Sequence, residues 1–174
     1  MAGAFVAMNT PAELEFSESP HPRATTRLRA RAWVAATPTE LFAFFSEADN
    51  LQRLTPARLQ FRVTTPSPVV MQDGTQIDYR LKVYGIPLRW KSEIRDWDPP
   101  REFVDVQLHG PYRYWHHRHR FEPSDDGTVV IDEVDYSPPG GRIVDRMLVR
   151  RELRTSFTYR MEQLAELFPA ANRD

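Results

Sequence analysis

The sequence predicts a single α+β domain: a strand, two short helices, an antiparallel meander of six further strands, and one long C-terminal helix. Three observations carry this reading. From Thr25 the residues alternate with the period of a strand that has one buried face. Six further β-patterned segments are then separated by proline, glycine and aspartate breaks. After SPPGG the apolar spacing changes to that of an amphipathic helix.

The first strand follows from Leu28, Ala30, Ala32 and Val34 alternating with Arg27, Arg29, Arg31 and Trp33, the arginines forming the solvated face. Thr37-Pro-Thr-Glu40 then reads as a capping box with proline at the first helical position, so LFAFFSEA is a helix. Asn50 opens a second short helix that ends near Pro56, because proline removes a donor and pushes its predecessor out of the helical region. The meander comprises LQFRVTTP, GTQIDYRLKVYG, IPLRWKSEIRDW, REFVDVQLHG, YRYWHHRHRFEP and GTVVIDEVDYSPP. The last helix spans roughly Arg142 to Phe168, with Leu153, Phe157, Met161, Leu164 and Phe168 on one stripe.

Composition narrows the function classes. The length of 174 residues fits one domain rather than two. Its limits are predicted at 25–168, with a flexible tail at 1–24, some of which could lie along the sheet, and a short one at 169–174. A formal charge of -1 gives no global field toward nucleic acid or an anionic membrane. Absence of cysteine excludes disulfides, thiolate metal ligands and a cysteine nucleophile. The opening MAGAFVAM lacks a basic start and its apolar run is too short for a secretory core or a membrane span, so a soluble, cytoplasmic protein is the expectation. Neither a nucleophile elbow nor a glycine-rich phosphate loop occurs among the seven glycines.

Two hairpin registers can be written from turn chemistry. A Tyr84-Gly85 turn places Val83 opposite Ile86, Leu81 opposite Leu88, Tyr79 opposite Trp90 and Asp78 opposite Lys91. An Asp126-Gly127 turn places Phe121 opposite Asp132, His119 opposite Val134 and His117 opposite Tyr136, with Arg120 against Glu133 and Arg118 against Asp135. This divides Gly110–Phe121, GPYRYWHHRHRF, into an outward row of neutralised arginines and an inward row of Trp115, His117, His119 and Phe121. His116 faces outward. A tight turn at Gly110-Pro111 would put Val104, Val106 and Leu108 inward and Asp105 and Gln107 outward, unless the proline shifts the register through a bulge.

NLQRLTP after FAFF, GTQIDYRLKVYGIPLRWKSEI, FVDVQLHGPYRYWHHRHRF and VDYSPPGG followed by a helix with FTYR closely resemble a bacterial, polyketide-cyclase-like and ligand-binding branch of the START/Bet v 1-like (SRPBCC) superfamily. The resemblance covers about Thr25 to Phe168 and implies the helix-grip fold, in which the sheet wraps the C-terminal helix and leaves a cavity between them. It implies a small hydrophobic or aromatic ligand and no metal or other cofactor, while the charge balance and the short apolar run give the expectation of no nucleic acid and no membrane insertion. Some relatives are fused to a nucleotide-sugar-epimerase-like domain, which by analogy implies a partner of that kind.

On that fold the expected ligand-binding residues are Tyr79, Trp90, Trp115, His117, His119, Phe121, Tyr136, Phe157 and Arg160. The alternative is a cofactor-free cyclase or dehydratase in which His117 or His119, beside Asp132 and Tyr136, moves a proton. His117, His119 and Asp132 also match a zinc or non-haem-iron donor set, but spacing marks no further ligand and no metal is assigned.

Overall fold

A computed structural model describes residues 12–170. Its core is one antiparallel sheet of eight strands: β1 Glu13–Glu18, β2 Thr26–Val34, β3 Arg62–Val63, β4 Gln76–Val83, β5 Ile86–Asp98, β6 Glu102–His109, β7 Tyr114–Ser124 and β8 Gly127–Ser137. They lie in the order β1-β2-β8-β7-β6-β5-β4-β3, so β3 to β8 form the meander and β2 pairs back onto its last strand. Between β2 and β3 come the short helices α1 Pro38–Phe45 and α2 Asn50–Arg53 and a 3₁₀ turn at Ala57–Leu59. One continuous helix closes the chain: α3 Gly141–Val144, a π-helical segment Asp145–Val149, and α4 Arg150–Leu167. This is the predicted helix-grip arrangement, a curved sheet around a long C-terminal helix.

Local chemistry accounts for these elements. Thr37 accepts from the Glu40 amide at 3.3 Å and the Glu40 carboxylate accepts from the Thr37 amide at 2.8 Å, the reciprocal cap predicted for α1. Strand β2 buries every second residue, including Leu28, Ala30, Ala32 and Val34. Leu153, Phe157, Met161 and Leu164 of α4 are buried against the sheet, each worth about 1.5–3 kcal/mol relative to exposure.

The β4–β5 register is the predicted one, from Val83 opposite Ile86 to Asp78 opposite Lys91. Its turn has φ of 50° at Tyr84 and 78° at Gly85, the pair of positive values a two-residue type I′ turn needs.

The β7–β8 register differs from expectation by two residues. Ser124 pairs with Gly127, so Asp125 and Asp126 make the turn, and Phe121 meets Val130, His119 meets Asp132 and His117 meets Val134. Gly127 serves close packing instead of a turn, since a Cβ there would collide with the Val34 carbonyl oxygen. An even shift preserves which side each residue faces, so the inward row is unchanged. The ion pairs do change. Arg120 reaches Glu133 at 3.0 Å, but Arg118 lies opposite Glu133 and the expected Arg118–Asp135 pair is replaced by Arg27 bound to Asp135 at 2.7 and 2.9 Å.

The β6–β7 register is shifted by one residue, and that reverses the expected facing of β6. Val106 pairs with His116 and Asp105 with His117, so Phe103, Asp105 and Gln107 point inward while Val104, Val106 and Leu108 lie on the outer face. Pro111 has a fixed φ near −65° and excludes a type I′ turn at Gly110-Pro111. The Gln107 side chain instead folds over the loop, donating to the Tyr112 carbonyl at 2.7 Å and accepting from the Tyr112 amide at 3.2 Å.

Part of the segment expected as an N-terminal tail is strand β1, which sets Glu13 opposite Arg31 and Glu15 opposite Arg29. The expectations for 1–11 and 171–174 fall outside the described residues.

Candidate functional site

Between the inner face of the sheet and α4 lies a cavity of about 380 Å³. Its wall is largely apolar, with Phe45, Leu54 and Leu59 from the first helices and the 3₁₀ turn, Tyr79, Leu81, Leu88, Trp90 and Ile94 from the β4–β5 hairpin, and Leu153 and Phe157 from α4. The size and character suit a compact, mostly apolar molecule. Tyr84 and Leu148 line the cavity and are 57% and 47% exposed, so it reaches the surface between the hairpin tip and the π-helical segment, where the Tyr84 hydroxyl donates to the Leu148 carbonyl at 3.3 Å. Along one flank Arg58 clasps Glu152 of α4 through two contacts of 2.7 and 2.8 Å.

Polar groups converge at one place on this wall. Two-residue spacing on β7 aims His117 and His119 to the same side, with ring centroids 3.8 Å apart. Asp105 and Asp132 flank the pair. His117 Nε2 lies 3.0 Å and His119 Nδ1 2.8 Å from Asp132 Oδ1, while His117 Nδ1 lies 3.3 Å and His119 Nε2 3.2 Å from Asp105 Oδ2. Arg160 of α4 brings Nε within 3.0 Å of Asp132 Oδ2, although its N–H does not point at that oxygen, and Nη2 within 3.1 Å of His119 Nδ1. Ser92 donates to Asp105 Oδ1 at 3.4 Å and accepts from the Trp90 indole at 3.1 Å.

Aromatic rings enclose the histidines: Phe103 stacks on His119 at 4.4 Å, and Phe157 and Trp115 approach His117 at 5.5 and 6.0 Å. Burial works against the charged form of both carboxylates. Hydrogen bonds from His117 and His119 nevertheless hold Asp105 below the usual carboxylate range, and the Arg160 guanidinium with the same imidazoles holds Asp132 well below it. Burial also opposes the His117 cation, but its bonds to Asp105 and Asp132 outweigh that and raise its pKa. His119 is lowered by burial and by the neighbouring charge of His117. Burial pushes the Tyr79 and Tyr112 phenols up, keeping both neutral donors on the wall.

Of the residues singled out from sequence, Tyr79, Trp90, Trp115, His117, His119, Phe157 and Arg160 line the cavity. Three inward-facing residues lie behind the wall instead. Phe121 packs edge-on against Phe42 and Phe45, Asp132 sits beneath the histidines, and the Tyr136 hydroxyl donates to Asp145 of the π-helical segment at 2.8 Å. Sequence reasoning left Asp105 unplaced and missed Ser92, Tyr112 and Glu152. The signal for Asp105 was its position opposite His117, which becomes visible only once the β6–β7 loop is one residue longer than a tight turn.

A family model described as polyketide cyclase / dehydrase and lipid transport matches residues 25–169. No curated protein matches the chain. Among solved structures, a Mycobacterium smegmatis protein superposes with a TM-score of 0.69 at 14% identity, covering 94% of this chain and 100% of that one. A Thermus thermophilus protein gives 0.66 at 19% identity, covering 84% and 99% of the two chains. A START superfamily protein from Mycobacterium smegmatis gives 0.60 at 12% identity, covering 81% and 98%. At these identities the likeness is one of fold. No helix among the described residues is long and apolar enough to cross a membrane.

Proposed function

The chain belongs to the polyketide cyclase / dehydrase and lipid transport family, and on that premise we propose that it binds a small hydrophobic or aromatic molecule between its sheet and C-terminal helix. The observation that carries this is the 380 Å³ cavity, apolar nearly throughout but with Asp105, His117, His119 and Arg160 gathered on one wall. A ligand with a fused or extended apolar body and a hydroxyl or carbonyl at one end matches that division, since the body gains from burial and the polar end finds partners.

Trp90 and Trp115 lie 5.1 Å apart on the wall and supply the readout. Titration with hydroxylated polycyclic aromatics gives a saturable, one-to-one change in tryptophan emission. A linear, non-saturating response across the panel would overturn the reading.

The placement of two imidazoles on the cavity wall supports a second reading, a cyclase or dehydratase in which His117 or His119 exchanges a proton with a bound carbonyl compound. Asp132 would then act by orienting both rings, while Tyr136, whose hydroxyl is engaged by Asp145, would take no direct part. A His117→Ala/His119→Ala double variant that keeps full ligand occupancy yet forms no product supports the enzyme. A variant that loses binding, with no turnover ever detected in the wild type, supports the carrier.

A further inference from the structure

The polar cluster has a donor geometry that neither a carrier nor a cofactor-free enzyme requires. Asp132 Oδ1 faces the outer nitrogen of each imidazole, Nε2 of His117 at 3.0 Å and Nδ1 of His119 at 2.8 Å. His117 Nε2 is aligned to donate to Asp132 Oδ1, which leaves the Nδ1 lone pair of that ring for an ion. In the ion-free cluster His119 Nδ1 accepts from Arg160 Nη2 at 3.1 Å and His119 Nε2 is aligned to donate to Asp105 Oδ2 at 3.2 Å, so an ion at Nε2 would displace that proton. His117 Nδ1 and His119 Nε2 both lie beside Asp105 Oδ2, 3.3 and 3.2 Å away.

Three electron-pair donors thus converge, all within 4.8 Å of one another. Donors bound tetrahedrally to zinc at about 2.0–2.1 Å are separated by about 3.4 Å, close to the two separations found here.

We propose that Asp105, His117 and His119 form a mononuclear site for a divalent cation of the zinc type, with a fourth position open to the cavity. The surrounding groups complete it. Metal-bound imidazoles ordinarily pass their other N–H to a carboxylate, which Asp132 provides for both rings at once. Ser92 engages Asp105 Oδ1 and leaves Oδ2 for the ion. Charge favours the same outcome: two carboxylates and one guanidinium leave the cluster one net negative charge when both imidazoles are neutral. Asp105, His117 and His119 line the cavity while Asp132 does not, so the ion faces the ligand space and its carboxylate brace stays behind it. Such an open position is the mark of a site that binds or activates an oxygen rather than one that only stabilises the fold. To the extent that this oxygen belongs to the cavity ligand, the inference rests on the ligand-binding reading; the ion site itself does not.

The test is a Co²⁺ titration of chelator-treated full-length protein, followed by visible absorption, with Zn²⁺ displacement as the return arm. Expected are d–d bands that saturate at one equivalent and vanish on adding Zn²⁺. Asp105→Asn and His119→Ala abolish the bands, Asp132→Asn weakens affinity about 10–100-fold, and His21→Ala, outside the cluster, leaves it unchanged. Because substitutions in a buried cluster can unfold the chain, imidazole ¹⁵N spectra of the wild type provide a second measurement. On adding Zn²⁺, Nδ1 of His117 and Nε2 of His119 shift, the latter losing its proton, while Nε2 of His117 keeps the protonated signature. Failure to saturate at one equivalent, bands that survive Asp105→Asn in folded protein, or shifts confined to other histidines would overturn the proposal. The tryptophan titration with aromatic probes is run on metal-free protein, so failure of either proposal is read separately from the other.

Discussion

Replacing Tyr136 with phenylalanine separates a residue that faces the core from one that touches ligand. Tyr136 is fully buried, and its hydroxyl donates to Asp145 Oδ1 at 2.8 Å. Asp145 also accepts from Thr26 Oγ1 at 3.1 Å and from Arg150 Nε at 2.9 Å, so the variant removes one of three bonds to a buried carboxylate. A hydrogen bond to a charged acceptor contributes about 1.5–3 kcal/mol, and the two remaining donors place the loss near the lower end, about 1.5 kcal/mol. For a domain of this size that lowers Tm by about 3–6 °C. Urea unfolding and a thermal melt give the stability, and aromatic-probe titration gives the affinity, which stays within about twofold of wild type because the hydroxyl points at α3–α4 and not at the cavity. An unchanged Tm with a tenfold loss of probe affinity would refute this placement.

Two further substitutions test the packing and the electrostatics of the sheet. Gly127→Ala drives a Cβ into the Val34 carbonyl oxygen, a backbone clash that rotamer change cannot relieve, and is expected to cost about 2 kcal/mol in urea unfolding. Asp135 accepts from Arg27 and Ser19, and although burial opposes its charge these contacts depress its folded pKa. Its stabilisation is therefore fully present above the unfolded value of about 3.9 and is lost as pH falls through the folded pKa. Asp135→Asn is accordingly less stable than wild type at pH 7, by about 2 kcal/mol, and the gap narrows as unfolding is repeated at pH values below about 4.

The reach of the sequence tracks which contacts are local. The β4–β5 register could be read because one dipeptide, Tyr84-Gly85, sets it through two positive φ values. The β7–β8 turn misled because Gly127 answers to Val34, more than ninety residues earlier, and not to its neighbours. That error was harmless for facing, since a shift of two restores parity, whereas the single-residue shift at Gly110-Pro111 turned Asp105 from solvent to the cavity. The histidine row was therefore legible and its carboxylate partner was not. Alternation also marks only which side a residue takes. Phe121 and Tyr136 share the inner side with Trp115 and His117, but how far α4 stands off the sheet at each level decides which of them borders the cavity. Strand β1 could be read only as a segment able to lie along the sheet, because the alternation of Leu14 and Phe16 is too short to name a partner and its match to β2 is long-range.

The central claim is that the space between the sheet and α4 holds a small molecule, and native mass spectrometry of freshly purified protein measures this most directly. Ser156 lines the cavity from α4, so Ser156→Phe supplies a variant whose ring occupies that space. The account predicts a one-to-one adduct of small-molecule mass on the wild type, or one restored by adding an aromatic probe, and its loss in Ser156→Phe at unchanged Tm. A wild type that takes up no adduct from any apolar probe, or adducts equally abundant in the folded Ser156→Phe variant, would contradict it.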